Sequence, residues 1–132
     1  MESIMNNRFK FRFWCSSENR FITDPVIHGD GKISVQSGIC GRDYCHDVII
    51  QQYTGWNDKN NKPIYEGDIV KFSRLFEKER KIKELKSFVR FDEGKFGFDL
   101  IGFNGMFFDL SEECSIEIEV IGNIFEHSEL LK

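Results

Sequence analysis

A chain of 132 residues with 40% hydrophobic and 30% charged side chains has room for one folded domain and is too apolar to stay disordered. Fourteen Phe and only two Pro supply bulk for a core, and no apolar run approaches the length of a membrane-crossing helix. The net charge of -4 argues against a general DNA coat, and the lack of an apolar block after Met1 to Arg12 points to a cytoplasmic rather than an exported protein.

Residues 8–14, Arg-Phe-Lys-Phe-Arg-Phe-Trp, alternate with period two. Phe9, Phe11 and Phe13 fall on one side and Arg8, Lys10 and Arg12 on the other, the pattern of a half-buried strand with its cations outward. Phe21-Ile22 and Val26-Ile27 follow, separated by the breaker Asp24-Pro25. Gly29-Asp30-Gly31 signals a tight turn, because glycine takes positive φ without steric cost, and Ile33 and Val35 alternate with polar residues on the returning arm. Val48-Ile49-Ile50 is a short apolar strand leading into Gln51-Gln52-Tyr53, and Tyr53-Thr54-Gly55 ends it. Residues 54–63 read as a long turn in which Asn and Asp bond their own backbone. Glu66-Gly67-Asp68 is a tight corner, with positive φ at Gly67 and backbone N–H groups donating to Asp68. Ile69 to Phe72 begin the next strand.

Residues 74–86 admit two readings. Leu75, Ile82 and Leu85 among many charges fit a helix with Glu–Lys pairs, and they fit equally the arms of an elongated, exposed hairpin. Strands on both sides need a connection, which favours the hairpin. Phe88 to Phe91 form a strand, Asp92-Glu93-Gly94 turn it, and Phe96 and Phe98 alternate on the strand that follows. Gly102 to Gly105 make another turn, and Ser111 can cap a helical turn with Glu112-Glu113. Ile116, Ile118 and Val120 alternate with glutamates as a strand, Gly122-Asn123 mark a bulge or bend, and Ser128 to Leu131 close as a short helical turn. Turn signals about every eight to twelve residues predict a mostly β fold, a small barrel or sandwich of short hairpins with at most one or two helical turns.

Three blocks carry a family resemblance. Lys10-Phe11-Arg12-Phe13-Trp14 resembles the opening strand of the YopX family. Gln52 to Gly55 through Asp58-Lys59-Asn60, then Pro63-Ile64-Tyr65-Glu66-Gly67-Asp68-Ile69-Val70, is similar to that family's most distinctive block. Ile118 to Glu126, with Glu129-Leu130-Leu131, resembles its last. The blocks come in order and span nearly the whole chain, which implies a single YopX-like domain over 1–132, with a variable β region over 1–50 and a barrel-like core over 51–132. The resemblance implies a β-rich fold with a small SH3-like barrel element and an association with phages and prophages. It implies no catalytic residue, substrate or cofactor. Tyr53, Thr54, Gly55, Tyr65, Glu66, Gly67, Asp68, Gly122 and Asn123 form its signature here, and their expected roles are architectural.

Chemistry-bearing groups are sparse. His28, His46 and His127 lie in no catalytic motif, and there is neither a nucleophile elbow nor a phosphate-cradling loop. Glu66 with Asp68 offers a carboxylate pair, although a turn explains both more simply. Cys15, Cys40, Cys45 and Cys114 read as free thiols. Cys40, Cys45 and His46, with His28 upstream, have spacings that can hold zinc, yet the second half of such a motif is missing, so no metal and no cofactor is expected. Nucleic-acid contact has candidates in Arg8, Lys10, Arg12 and the basic stretch from Lys71 to Arg90, with Trp14 or Trp56 to stack on a base. Residues 71–90 carry eight Lys or Arg against three acids, and residues 91–132 carry two against ten, an asymmetry suited to head-to-tail contacts. The expected function is that of a non-enzymatic phage or prophage accessory protein, a self-assembling homo-oligomer or a module binding a host or phage protein, with no membrane contact. The alternative is a nucleic-acid-binding small barrel.

Overall fold

The computed structural model describes residues 10–23, 25–37, 41–45, 47–76, 80–99, 107–111 and 117–131. Strand formation dominates them: β1 (Phe11–Cys15), β2 (Arg20–Phe21), β3 (Val26–Ile27), β4 (Ile33–Ser37), β5 (Gly41–Cys45), β6 (Val48–Asn57), β7 (Pro63–Tyr65), β8 (Asp68–Phe76), β9 (Lys81–Asp92), β10 (Lys95–Asp99), β11 (Phe107–Asp109) and β12 (Glu119–Asn123). A 3₁₀ turn over Ser128–Leu131 closes the chain, as its sequence predicts. Among the described residues no helix is long and apolar enough to cross a membrane.

The strands form three antiparallel sheets, in the orders β2-β1-β6-β7, β3-β4-β5 and β11-β10-β9-β8-β12, curled into a half-barrel. The mostly β expectation therefore holds. Local chemistry sets the hairpins. Glu93 and Gly94 join β9 to β10 with φ of 50° and 81°, the two positive values that a two-residue loop with the right strand twist requires. The Gly29-Asp30-Gly31 turn joins β3 to β4 with Gly31 at φ 85°. Residues 74–86 belong to the arms of the β8–β9 hairpin, whose register runs from Ile69 opposite Phe88 to Phe76 opposite Lys81.

Two segments depart from expectation. β6 continues through Thr54 and Gly55 to Asn57, absorbing a register shift there with Gly55 at φ 88°, so the turn narrows to Asp58–Lys62. Asp58 organises that turn: its Oδ1 accepts the Asn60 and Lys62 N–H groups, both at 2.9 Å, and its Oδ2 accepts the Val120 N–H at 2.8 Å. The last strand is Glu119–Asn123, so Glu117 and Ile118 precede it while Ile116 lies outside the described residues, and the expected irregularity sits inside it as a register shift between Val120 and Gly122. The expected helical turn at Glu112-Glu113 and the turn at Gly102 to Gly105 lie outside the described residues.

Buried apolar side chains gather in two clusters. Phe13, Cys15, Ile22 and Ile33, with Val48 against them, fill the smaller. Ile64, Val70, Val89, Phe98, Leu110, Ile118 and Val120 fill the larger, with Trp56, Phe72 and Leu85 packed on its margin. Phe11, expected to point inward with Phe13, is 41% exposed: alternation assigns it a face, but β1 reaches the cluster only from Phe13 onward.

Candidate functional site

The three sequence blocks meet at one point. Asp68 opens β8 with a side chain only 2% exposed, and its Oδ1 lies 2.6 Å from Arg12 Nη2 on β1. Its Oδ2 accepts the Tyr65 N–H at 2.8 Å, which closes the Glu66-Gly67-Asp68 corner. Arg12 also donates from Nε to Gln51 Oε1 at 2.7 Å and from Nη2 to the Glu66 carbonyl at 3.3 Å. Its guanidinium lies 4.9 Å from the ring centres of both Phe21 and Tyr65. Burial pushes the Asp68 carboxyl above its usual range; Arg12, the Tyr65 N–H and Lys62 pull the other way and do not fully offset the lost hydration.

Gly67 ties this pair to the rest of the fold. Its φ of 85° suits glycine, its N–H donates to the Val89 carbonyl at 2.7 Å, and its own carbonyl accepts the Ile124 N–H at 2.9 Å. A methyl group at Gly67 would collide with the amide end of Gln51, the residue that holds Arg12. In the last block, Asn123 Oδ1 accepts the Phe125 and Glu126 N–H groups at 3.0 and 2.9 Å, while the Asn123 N–H donates to His127 Nδ1 at 3.2 Å. The His127 ring then packs over Gly122, where a Cβ would approach it to 2.7 Å.

Two clefts flank this node. A polar one of about 270 Å³ is lined by Arg12, Lys62, Tyr65, Asp68, Asn123 and His127 among others. A mainly apolar one of about 280 Å³ is lined by Ile49, Ile50, Glu66, Phe88, Ile124 and Phe125 among others. Glu66 and Asp68 thus line different clefts. Among the described residues every buried side-chain nitrogen or oxygen has a hydrogen-bond partner, so the node is a saturated clasp.

Of the nucleic-acid candidates in and before β1, the structure describes Lys10 and Arg12, and only Lys10 is exposed. Arg8 lies outside the described residues. Lys10 is exposed, with Nζ 5.7 Å above the Tyr53 ring. Arg12 is turned in to Asp68, because the carboxylate and two rings across from it compete successfully with water. Trp14 is 3% exposed, stacked on Phe125 at 5.1 Å and edge-on to Phe21 at 4.9 Å, so it offers no face to a base. Trp56 is half-buried against the larger cluster.

Several of the signature residues bond to one another or to neighbouring backbone. Tyr53 stands opposite Tyr65 with ring centres 5.6 Å apart, and its hydroxyl donates to Asn57. Thr54 Oγ1 donates to the Ile64 carbonyl at 2.8 Å, bracing the bulge at Gly55. His28 shares a 2.9 Å hydrogen bond with Ser34. Cys40, His46 and Cys114 lie outside the described residues, as does the side chain of Cys45. Cys15 is buried with its Sγ 3.3 Å from Ser17 Oγ, and no group of three metal-binding side chains occurs among the described residues.

Sequence reading missed Gln51, Phe21, Phe125 and His127. The available signal was Gln51 itself, a polar residue continuing an apolar run. The acidic C-terminal stretch is also less open than its charge suggests. Asp99 and Asp92 are held by Arg90, Asp109 by Lys95 at 3.1 Å, and Glu119 by Lys59 and Lys71 at 3.6 and 3.4 Å. The paired hydrogen bonds from Arg90, both 2.9 Å, hold the Asp99 carboxyl below its usual range.

Among solved structures, protein EF1440 from Enterococcus faecalis matches with a TM-score of 0.61 at 23% sequence identity, over 93% of this chain and 97% of that one. This is a likeness of fold. No curated protein matches. The family model described as YopX protein matches residues 10–132. That match takes in all three blocks that converge on Arg12 and Asp68, and the chain belongs to the YopX family.

Proposed function

We propose that this protein is a non-enzymatic phage or prophage accessory factor of the bacterial cytoplasm, and that it acts by binding protein chains, first of all a second copy of itself. The observation that carries this reading is the open edge of β6. On one side β6 pairs with β1 from Val48 to Gln52, but on the other β7 takes only Tyr53 and Asn57. Among the described residues no strand covers Val48–Gln51 on that side. Ile49 and Ile50 are 43% and 44% exposed there, and the apolar cleft continues from them to Phe88, Ile124 and Phe125.

An uncovered edge with apolar side chains is a template for another strand. Antiparallel pairing of this edge with its own copy about a two-fold axis satisfies both edges at once and closes the assembly. The saturated Arg12–Asp68 clasp, and the separation of Glu66 from Asp68, support a binding role over a catalytic one.

Light scattering on the eluting protein, over a wide concentration range, tests this. The expected mass is that of a dimer or larger closed oligomer, and Ile50→Lys should shift it to monomer while the circular dichroism stays unchanged. A monomer mass at every concentration overturns self-association.

A further inference from the structure

We propose that the outer part of the β8–β9 hairpin is an arm that enters a groove of duplex DNA, with Arg80 and Lys86 neutralising phosphates. β12 covers β8 only from Asp68 to Lys71, and β10 covers β9 only from Val89 to Asp92. Among the described residues, the segments Phe72–Phe76 and Lys81–Phe88 pair only with β9 and β8, respectively. The result is a two-stranded ribbon extending past both of its neighbours in the sheet. Such a ribbon has few stabilising contacts of its own. With strands about 5 Å apart, it matches the B-form major groove of about 12 Å, which admits a two-stranded ribbon.

Register sorts the ribbon's faces. Phe72 stands opposite Leu85, and both pack on the larger apolar cluster. The other face carries Lys71 opposite Lys86, Ser73 opposite Glu84, and Ile82. Ile82, Glu84 and Lys86 are all exposed on it, Ile82 to 73%. Like charges directly across a ladder destabilise it. Here Lys71 is answered by Glu119 at 3.4 Å, while Lys86, and Arg80 near the hairpin end, have no ion-pair partner among the described residues.

A polyanion held along this face would supply the missing counter-charge. An exposed isoleucine and a glutamate between the cations match base edges, a thymine methyl and a cytosine amino group respectively. The acids of the following strands weaken the objection from overall charge, since Asp92, Asp99 and Asp109 are already paired with Arg90 and Lys95. This inference is independent of self-association through β6.

Anisotropy titration of a labelled, mixed-sequence DNA duplex across a salt series tests it. The wild type should bind at low salt with log affinity falling linearly in log salt, at a slope of about 0.9 per phosphate contacted. Arg80→Gln and Lys86→Gln should each weaken binding about tenfold and lower the slope by about one, whereas Lys10→Gln, off the arm, should change neither. Because Lys86→Gln removes a like-charge pair, that variant should fold at least as stably as the parent and keep its mass in light scattering. Loss of binding with an intact fold therefore reports the arm alone. Absence of binding at low salt, equal affinity for A-form RNA duplex, or competition by polyglutamate as strong as by DNA each overturns the proposal.

Discussion

The Arg12–Asp68 pair shows how much one contact depends on its surroundings. Both partners are withdrawn from water, so deleting one leaves the other charged and without a counter-ion, which costs more than the pair contributes while intact. Arg12→Gln should destabilise the protein by about 3 kcal/mol at neutral pH in urea unfolding. Burial already raises the Asp68 pKa above its ordinary value. The folded state therefore binds that proton more tightly than the unfolded chain, and Asp68's contribution is fullest below about pH 4 and declines as pH rises through the folded pKa. Removing Arg12 raises that pKa further, so the deficit of Arg12→Gln should shrink as the solution is acidified. Adding Asp68→Asn to Arg12→Gln should recover part of the loss at neutral pH. A deficit that is flat with pH would mean that the orphaned carboxylate is not its source. Gly67 gives a second comparison. Gly94 has a similar φ, 81° against 85°, but open space where a Cβ would stand. Gly94→Ala should cost about 1 kcal/mol from backbone strain alone, and Gly67→Ala roughly 2 kcal/mol more, because the methyl displaces Gln51 from Arg12. Equal losses in thermal unfolding would show that the clasp is not strained by the added methyl.

At the level of elements, the turns were legible because their chemistry is local: Gly31, Gly67 and Glu93-Gly94 need only their own φ values. The alternation of residues 8–14 located β1 but not what closes over it. Arg12 turns inward because Asp68, distant in sequence, waits there, and no period-two rule contains that fact. The same limit applies to Val48-Ile49-Ile50, which reads as a short apolar strand and is left at an open edge since β7 starts pairing only at Tyr53. The ribbon was ambiguous for another reason: its charges fit helix pairs and strand faces equally, and only the pairing with β9 decides. Its partial coverage has a dynamic consequence. Amides flanked by a second strand open only with the sheet, while those of a two-stranded ribbon open locally. Hydrogen exchange at Ser73 and Glu84 should run at least about tenfold faster than at Val70 and Val89. Uniform protection along the hairpin would show that the arm is held by something beyond its own pairing.

Across the whole molecule, the buried apolar side chains form two clusters, and a few side chains link the strands that carry them. Trp14 stacked on Phe125, and Arg12 clasping Asp68 while it donates to Gln51, join β1 and β6 to β8 and the last block; Ile69, fully buried, belongs to neither cluster. The chain places a tryptophan on each side of that question. Trp14 sits in the joining layer, and Trp56 packs on the larger cluster. Fluorescence of Trp14→Phe therefore follows the larger cluster, and that of Trp56→Phe follows the joining layer. In an otherwise wild-type background both signals should give one denaturation midpoint, as a two-state domain requires. With Arg12→Gln added, the Trp14 signal should move to lower denaturant than the Trp56 signal, because the clasp that couples the clusters is gone while the larger cluster keeps its own contacts. Should the two midpoints fall together in that background, the stacking of Trp14 on Phe125 carries the coupling, and the buried ion pair only fixes the register of β1 against the Gly67 corner.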